Sequence, residues 1–226
     1  MQKFFIILLI IIGFLFITIL VCRFTGAVDY HSIVTPSNEP TLREGSLIFS
    51  SVFKKPKRFD FILYKHVADH YYETATWVHR LCGLPGDKIQ VINGELFVND
   101  QATVSLFNTY HNYSIANDDL ERLNKQENIA ENRTIMQLSK DSLVIALDIA
   151  TINKYELQAR PYFIEDTNGE IFHIYHQHWT ADNFGPLFVP NDSYFVLGDN
   201  RGNSLDSRYA GCIKKENLVA TVIGSK

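Results

Sequence analysis

Phe4 to Cys22 is a run of nineteen residues without a charge, bounded by Lys3 and Arg23. At about 1.5 Å per residue, a helix of that length spans roughly the ~30 Å hydrocarbon core of a bilayer. It also satisfies its backbone polar groups internally, which the hydrocarbon demands. The run therefore predicts a membrane anchor over residues 1–26. A cleaved signal peptide is the competing reading, but its apolar region usually runs only ~7–15 residues before a small-residue site. Here the run is longer, and Thr25-Gly26-Ala27-Val28 is a poor site. Lys3 and Arg23 roughly cancel as orientation signals.

Beyond the anchor, the remaining chain is long enough for one sizeable domain or two small ones. A formal net charge of −4 offers no basic field, so no nucleic-acid partner is expected. Sixteen Phe, eleven Tyr and two Trp favour strands over helical bundles. Strands are expected at 46–53, 60–65 and 74–82, the last alternating Trp77, His79 and Leu81 against Val78, Arg80 and Cys82. Asn93-Gly94 between two apolar runs predicts a type I′ hairpin over 88–98. A short helix capped by Asn117 is expected through Asn128. Residues 143–152 are apolar and β-branched, and their pattern leaves helix and strand open. The charged, Asn-rich stretch 127–133 reads as a surface excursion. Asn112, Asn132 and Asn191 begin glycosylation triplets, a number an Asn-rich chain reaches by chance. The expected fold is mainly β: an N-terminal transmembrane helix, an antiparallel β-sheet core from 27–99 and 186–226, and an inserted α+β subdomain at 100–185. Cys82 and Cys212 could pair in an oxidising compartment or be two small buried side chains. Neither metal-ligand spacing nor a nucleotide-binding loop appears, so no cofactor is expected.

Four polar segments interrupt the apolar pattern. In Thr35-Pro36-Ser37-Asn38-Glu39-Pro40 the two prolines fix φ around Ser37, whose hydroxyl is then held in place. A serine nucleophile needs that fixity, a nearby base, and donors for an oxyanion, here the Ser37 N–H and the Thr35 hydroxyl. Arg58-Phe59-Asp60 opens a strand. His79-Arg80-Leu81-Cys82-Gly83-Leu84-Pro85-Gly86-Asp87 leaves a strand through a turn, and Gly198 to Tyr209 is a polar loop after a Val-Leu strand. Singly, each is read as ordinary structure: a turn serine, a strand entry, a core histidine, a hydrogen-bonded loop.

In order and spacing, however, the four resemble the signature boxes of type I signal peptidases, membrane-bound serine proteases that cleave signal peptides from exported proteins. The segment Asp182 to Leu187 is similar to the bacterial form. The resemblance covers the anchor, residues 29–98 and 188–224. It implies Ser37 as nucleophile, Thr35 with the Ser37 N–H as oxyanion hole, Ser204 orienting the base, and Asp206 and Arg208 as a supporting ion pair near Arg80. It also implies a shallow apolar pocket lined by Ile33 and Val78 that accepts a small side chain. The implied partners are signal peptides of exported precursors and membrane lipid. The implied location is the plasma (inner) membrane, with the N-terminus cytoplasmic and the domain on the outer face.

Three residues depart from the pattern. His79 stands where the bacterial family has a lysine base, Phe59 where a glycine is expected, and Gly202 where an aspartate is expected. An imidazole near pKa ~6.5 is mostly neutral at pH 7 and competent as a base, so activity is expected to decline below about pH 6.5. The reticulum branch of the same family uses Ser and His. Lysine nonetheless reaches farther from the backbone than imidazole, and Asp206 is a candidate to orient His79 in a triad. The alternative is a catalytically impaired relative that keeps the fold and binds peptides or a membrane partner.

Overall fold

The computed structural model describes residues 2–66, 75–103, 106–127, 133, 135–165 and 169–226. Helix α1 (Gln2–Phe24) carries the apolar run and buries none of its residues against the rest of the chain. It is long and apolar enough to cross a membrane. Its last turn carries the basic Arg23.

The remainder is mainly antiparallel β. In chain order the strands are β1 (Asp29–Ser32), β2 (Leu47–Ser51), β3 (Phe61–His66), β4 (Ala75–Gly83), β5 (Lys88–Ile92), β6 (Glu95–Val98), β7 (Gln101–Ala102) and β8 (His111–Ala116). They continue with β9 (Ile135–Gln137), β10 (Ser142–Leu147), β11 (Arg160–Pro161), β12 (Phe184–Phe188), β13 (Ser193–Leu197), β14 (Ile213–Lys214) and β15 (Leu218–Ser225). A seven-stranded sheet runs β1-β2-β15-β3-β4-β13-β14, and a smaller one runs β12-β5-β6-β7. A third sheet, β11-β8-β10-β9, carries helices α2 (Asn117–Glu127) and α3 (Ile149–Lys154) within the 100–185 stretch. Two short helices, α4 (Glu170–Tyr175) and α5 (Ser207–Ala210), follow.

The β5–β6 hairpin turns at Asn93 and Gly94, both at positive φ, which is what a two-residue turn matched to strand twist requires. Residues 143–152 resolve into both candidates. They run as β10 to Leu147, then Asp148 accepts a hydrogen bond from the Thr151 N–H at 2.6 Å and caps α3. Of the glycosylation triplets, Asn132 and most of the 127–133 excursion lie outside the described residues. Cys22, Cys82 and Cys212 are free thiols. Burial pushes the thiols of Cys82 and Cys212 up to about 12, so both stay protonated and unreactive near neutrality.

The large sheet is covered on both faces. Ile33, Leu42, Ile48, Phe61 and Leu63 pack on one, with Val78 against them. Ile62, Tyr64, Leu81, Val196 and Ile213 pack on the other, with Trp77 against them. His79 is directly opposite Ile62 in the β3–β4 register, so it shares this second face.

Candidate active site

Ser37 sits in a single 3-10 turn, Pro36–Asn38, entered from an extended Thr35 (φ −139, ψ 151). Proline at the start supplies the preset φ such a turn needs. The turn is clamped on two sides. Asn38, fully buried, donates its side-chain amide to the Val78 carbonyl at 2.7 Å. The Asn200 N–H donates to the Ser37 carbonyl at 3.1 Å, and the Asn200 side chain to the Pro36 carbonyl at 3.2 Å. A Cβ at Gly198 would collide with the Ser204 hydroxyl and the Ser37 carbonyl, so glycine is needed for this close approach of the two loops. The Ser37 Oγ lies 3.0 Å from the Thr35 hydroxyl and 3.4 Å from the Asn38 amide.

His79 is buried on β4, 4% exposed. Its Nε2 lies 3.2 Å from the Ser204 Oγ, and its Nδ1 lies 2.7 Å from the Tyr64 hydroxyl. Among the described residues these are its two side-chain hydrogen bonds, and neither reaches Ser37. Burial drives the imidazole pKa down to about 4, with Asp206 working against that and Arg208 with it. His79 is therefore neutral through the whole range in which the sequence expected it to titrate. Burial, and then the nearby Asp206 charge, hold the Tyr64 phenol well above its ordinary value, so it too is neutral.

Asp206, which the sequence offers as a partner for His79, is committed elsewhere. Its carboxylate takes the Arg208 guanidinium in two bonds, 2.9 Å from Nε and 2.8 Å from a terminal nitrogen, and also accepts the Gly198 N–H at 3.1 Å. Burial, the largest influence, would raise the Asp206 pKa, but the Arg208 charge and hydrogen bond, His79 and the Gly198 N–H together hold the carboxyl below its ordinary value. Arg208 also donates to the Arg201 carbonyl at 2.8 Å, which pins the loop. Arg80 is not part of that pair. It forms its own two-pronged pair with Asp199, 2.7 and 2.5 Å, with Thr41 donating to the same carboxylate at 2.5 Å. The Arg80 guanidinium lies between the rings of Phe61 and Phe107.

Ser37 and His79 both line one cavity of about 450 Å³, the size range of small-ligand sites. Its walls include Thr35, Trp77, Leu205 and both residues expected of the apolar pocket, Ile33 and Val78. Ser204 adjoins it through His79, and Asp206 and Arg208 are not among its lining residues. Sequence reasoning missed Tyr64, Asp199, Thr41 and Asn38. Asp199 stands inside the Gly198–Tyr209 segment, and Tyr64 alternates along β3 opposite Trp77, so each left a trace.

The departures have local causes. Phe59 adopts φ 72, a conformation that suits glycine. It is held there by its N–H to the Leu81 carbonyl at 2.7 Å and by Arg80 on its own carbonyl at 2.8 Å. Its ring packs on Phe107 at 5.2 Å. At Gly202, a Cβ would fall on the side-chain amide of Asn112, so an aspartate cannot fit while Asn112 occupies that space.

A model of the family described as signal peptidase, peptidase S26, matches residues 1–224. The signal peptidase I of Buchnera aphidicola subsp. Baizongia pistaciae is 31% identical over 175 residues, 74% of this chain and 54% of that protein. The signal peptidase I of Bacillus amyloliquefaciens is 26% identical over 190 residues, 82% of this chain and 68% of that one. The chain thus spans about half the length of the Buchnera relative. A solved signal peptidase I from Enterococcus faecalis aligns with 76% of this chain and 98% of its own at 24% identity, with a TM-score of 0.35. The match to the family model runs through all four polar segments and the apolar helix that precedes them, and the chain belongs to the signal peptidase family, peptidase S26.

Proposed function

We propose that this chain is a membrane-anchored serine endopeptidase that removes signal peptides from exported precursors by cutting after small side chains. Ser37 is the nucleophile, His79 the general base, and Thr35 with the Ser37 N–H the oxyanion hole. The observation that carries the reading is that Ser37 and a neutral His79 line the same largely apolar cavity. Ser37 transfers its proton towards Nε2 as its Oγ attacks the carbonyl carbon, and the proton then passes to the leaving amine as the C–N bond breaks. Catalytic hydrogen bonds are often long in a substrate-free enzyme and tighten when substrate docks. Lysine is not needed here: it would have to be shifted down by roughly three units to act as a base, whereas the buried imidazole is already unprotonated. Anchored by α1 with its N-terminus inside, the domain works on the outer face of the membrane.

A catalytically impaired relative that binds peptides without cutting them is the second reading, favoured by the absence of a Ser37–His79 bond among the described residues. The full chain in detergent micelles, given a precursor with an Ala-x-Ala signal peptide, separates the two. Cleavage by wild type that is lost in both Ser37→Ala and His79→Ala supports the peptidase. An inactive wild type that gains cleavage on His79→Lys supports the binding role.

A further inference from the structure

We infer that Tyr64 is the positioning residue of the general base, holding His79 by its Nδ1 in place of the carboxylate that usually does so. This rests on reading His79 as the base. The two residues lie on adjacent strands in a diagonal relation: Tyr64 is opposite Trp77, and His79 is two residues further along β4. Diagonal neighbours of that kind are ~7–8 Å apart, within reach of aromatic side chains. Tyr64 is fully buried, and its hydroxyl lies 2.7 Å from Nδ1. Trp77 lies edge-on to both rings. The contact is therefore fixed by packing as well as by the hydrogen bond. Asp206 does not substitute for it, being tied to Arg208 and the Gly198 N–H.

A neutral imidazole donates from one nitrogen and accepts at the other. With Nδ1–H donated to the Tyr64 oxygen, the Nε2 lone pair faces Ser204 and the cavity, where it can take the Ser37 proton. Once Nε2 has that proton, both ring nitrogens carry N–H, and the phenol oxygen accepts the one on Nδ1. That bond is stronger to the imidazolium than to the neutral ring, so Tyr64 stabilises the transition state more than the resting enzyme. The opposite arrangement, phenol donating to Nδ1 and Nε2–H donating to Ser204, would leave Nε2 without a lone pair. Only the Nδ1–H tautomer leaves Nε2 able to act as the base.

The test uses the full chain in detergent micelles with 15N-labelled histidine, the His79 signals being assigned by their loss in His79→Ala. In wild type the proton should sit on Nδ1, with Nε2 bare. In Tyr64→Phe, which keeps the ring, the two nitrogens should shift towards a tautomer mixture, while kcat falls about 10- to 100-fold with KM little changed. Should that variant fail to fold, 3-fluorotyrosine at position 64 keeps the hydroxyl as a weaker acceptor and should give smaller changes of the same sign. A wild-type proton on Nε2 overturns the inference, as do unchanged tautomer and kcat in the substituted enzyme. If His79→Ala still cleaves, the base assignment itself has failed, and the nitrogen signals still decide whether Tyr64 sets the tautomer.

Discussion

The Nε2 of His79 stands 3.2 Å from the Ser204 hydroxyl, and among the described residues it makes no hydrogen bond to Ser37. Ser204 thereby holds the Nε2 end of the imidazole while Tyr64 holds the Nδ1 end. Replacing Ser204 with Ala should lower kcat about 100-fold, within the range ascribed to general-base catalysis, and change KM little. Steady-state cleavage of a precursor by the two enzymes measures this, and a rise in KM at constant kcat would assign Ser204 to substrate binding instead.

The pH dependence follows from the burial of His79. Its pKa lies near 4, against 6.5 for a free imidazole, so the base stays competent well below pH 6.5. The acid limb of kcat/KM should therefore appear near pH 4 to 5, not near 6.5. Asp206, Arg208, Asp199 and His66 act on the ring through their charges, and the Tyr64 phenol through its hydrogen bond. A limb centred at 6.5 would mean that the working base is solvated.

Stability has the matching sign. Between pH 6.5 and about 4 the unfolded chain protonates this histidine and the folded one does not. Stability therefore falls as the pH falls through that window, by on the order of 3 kcal/mol for this residue. His111, lowered by burial to about 3, acts in the same direction. Guanidinium unfolding at a series of pH values should show a shallower dependence in His79→Gln, because one protonation of the unfolded state is removed.

The Asp206–Arg208 pair is almost wholly buried, so Asp206→Ala should act first on folding. Leaving Arg208 unpaired should cost about 3–5 kcal/mol, visible as a lower midpoint of thermal unfolding. A variant that unfolds like wild type and loses only activity would place Asp206 in the chemistry rather than in the scaffold.

Gly202 and Asn112 form a steric pair. Restoring the family's residue with Gly202→Asp should destabilise by about 1–3 kcal/mol through overpacking. Adding Asn112→Gly should recover much of that, since residues in contact couple. Denaturation of the single and double variants measures the coupling.

How much of this was legible in the sequence depends on distance along the chain. The apolar helix, the Asn93-Gly94 hairpin and the Ser37 turn are set by neighbouring residues, and they stand where local patterning puts them. The 143–152 run was ambiguous by period, although Asp148 marks the break between strand and helix. Asp199 meets Arg80 across 119 residues, and Tyr64 meets His79 through a strand register that composition does not specify. Chemistry favours a carboxylate beside a histidine base, and Asp206 is the sequence's candidate for it. Packing instead gave Asp206 to Arg208 and placed a phenol on the imidazole. Nor does a sequence show how far burial lowers a histidine, since that depends on every strand packed around it.

In the proposed reaction Ser37 attacks the substrate with His79 as its base. Rapid-quench mass spectrometry of the full chain in detergent micelles, mixed with a peptide ester ending its acyl part in alanine, would trap the acyl-enzyme. A transient acyl adduct should be confined to the peptide containing Ser37, formed much more slowly by His79→Ala and absent from Ser37→Ala. Hydrolysis of the ester with no adduct, or an adduct that survives Ser37→Ala, would contradict this reaction.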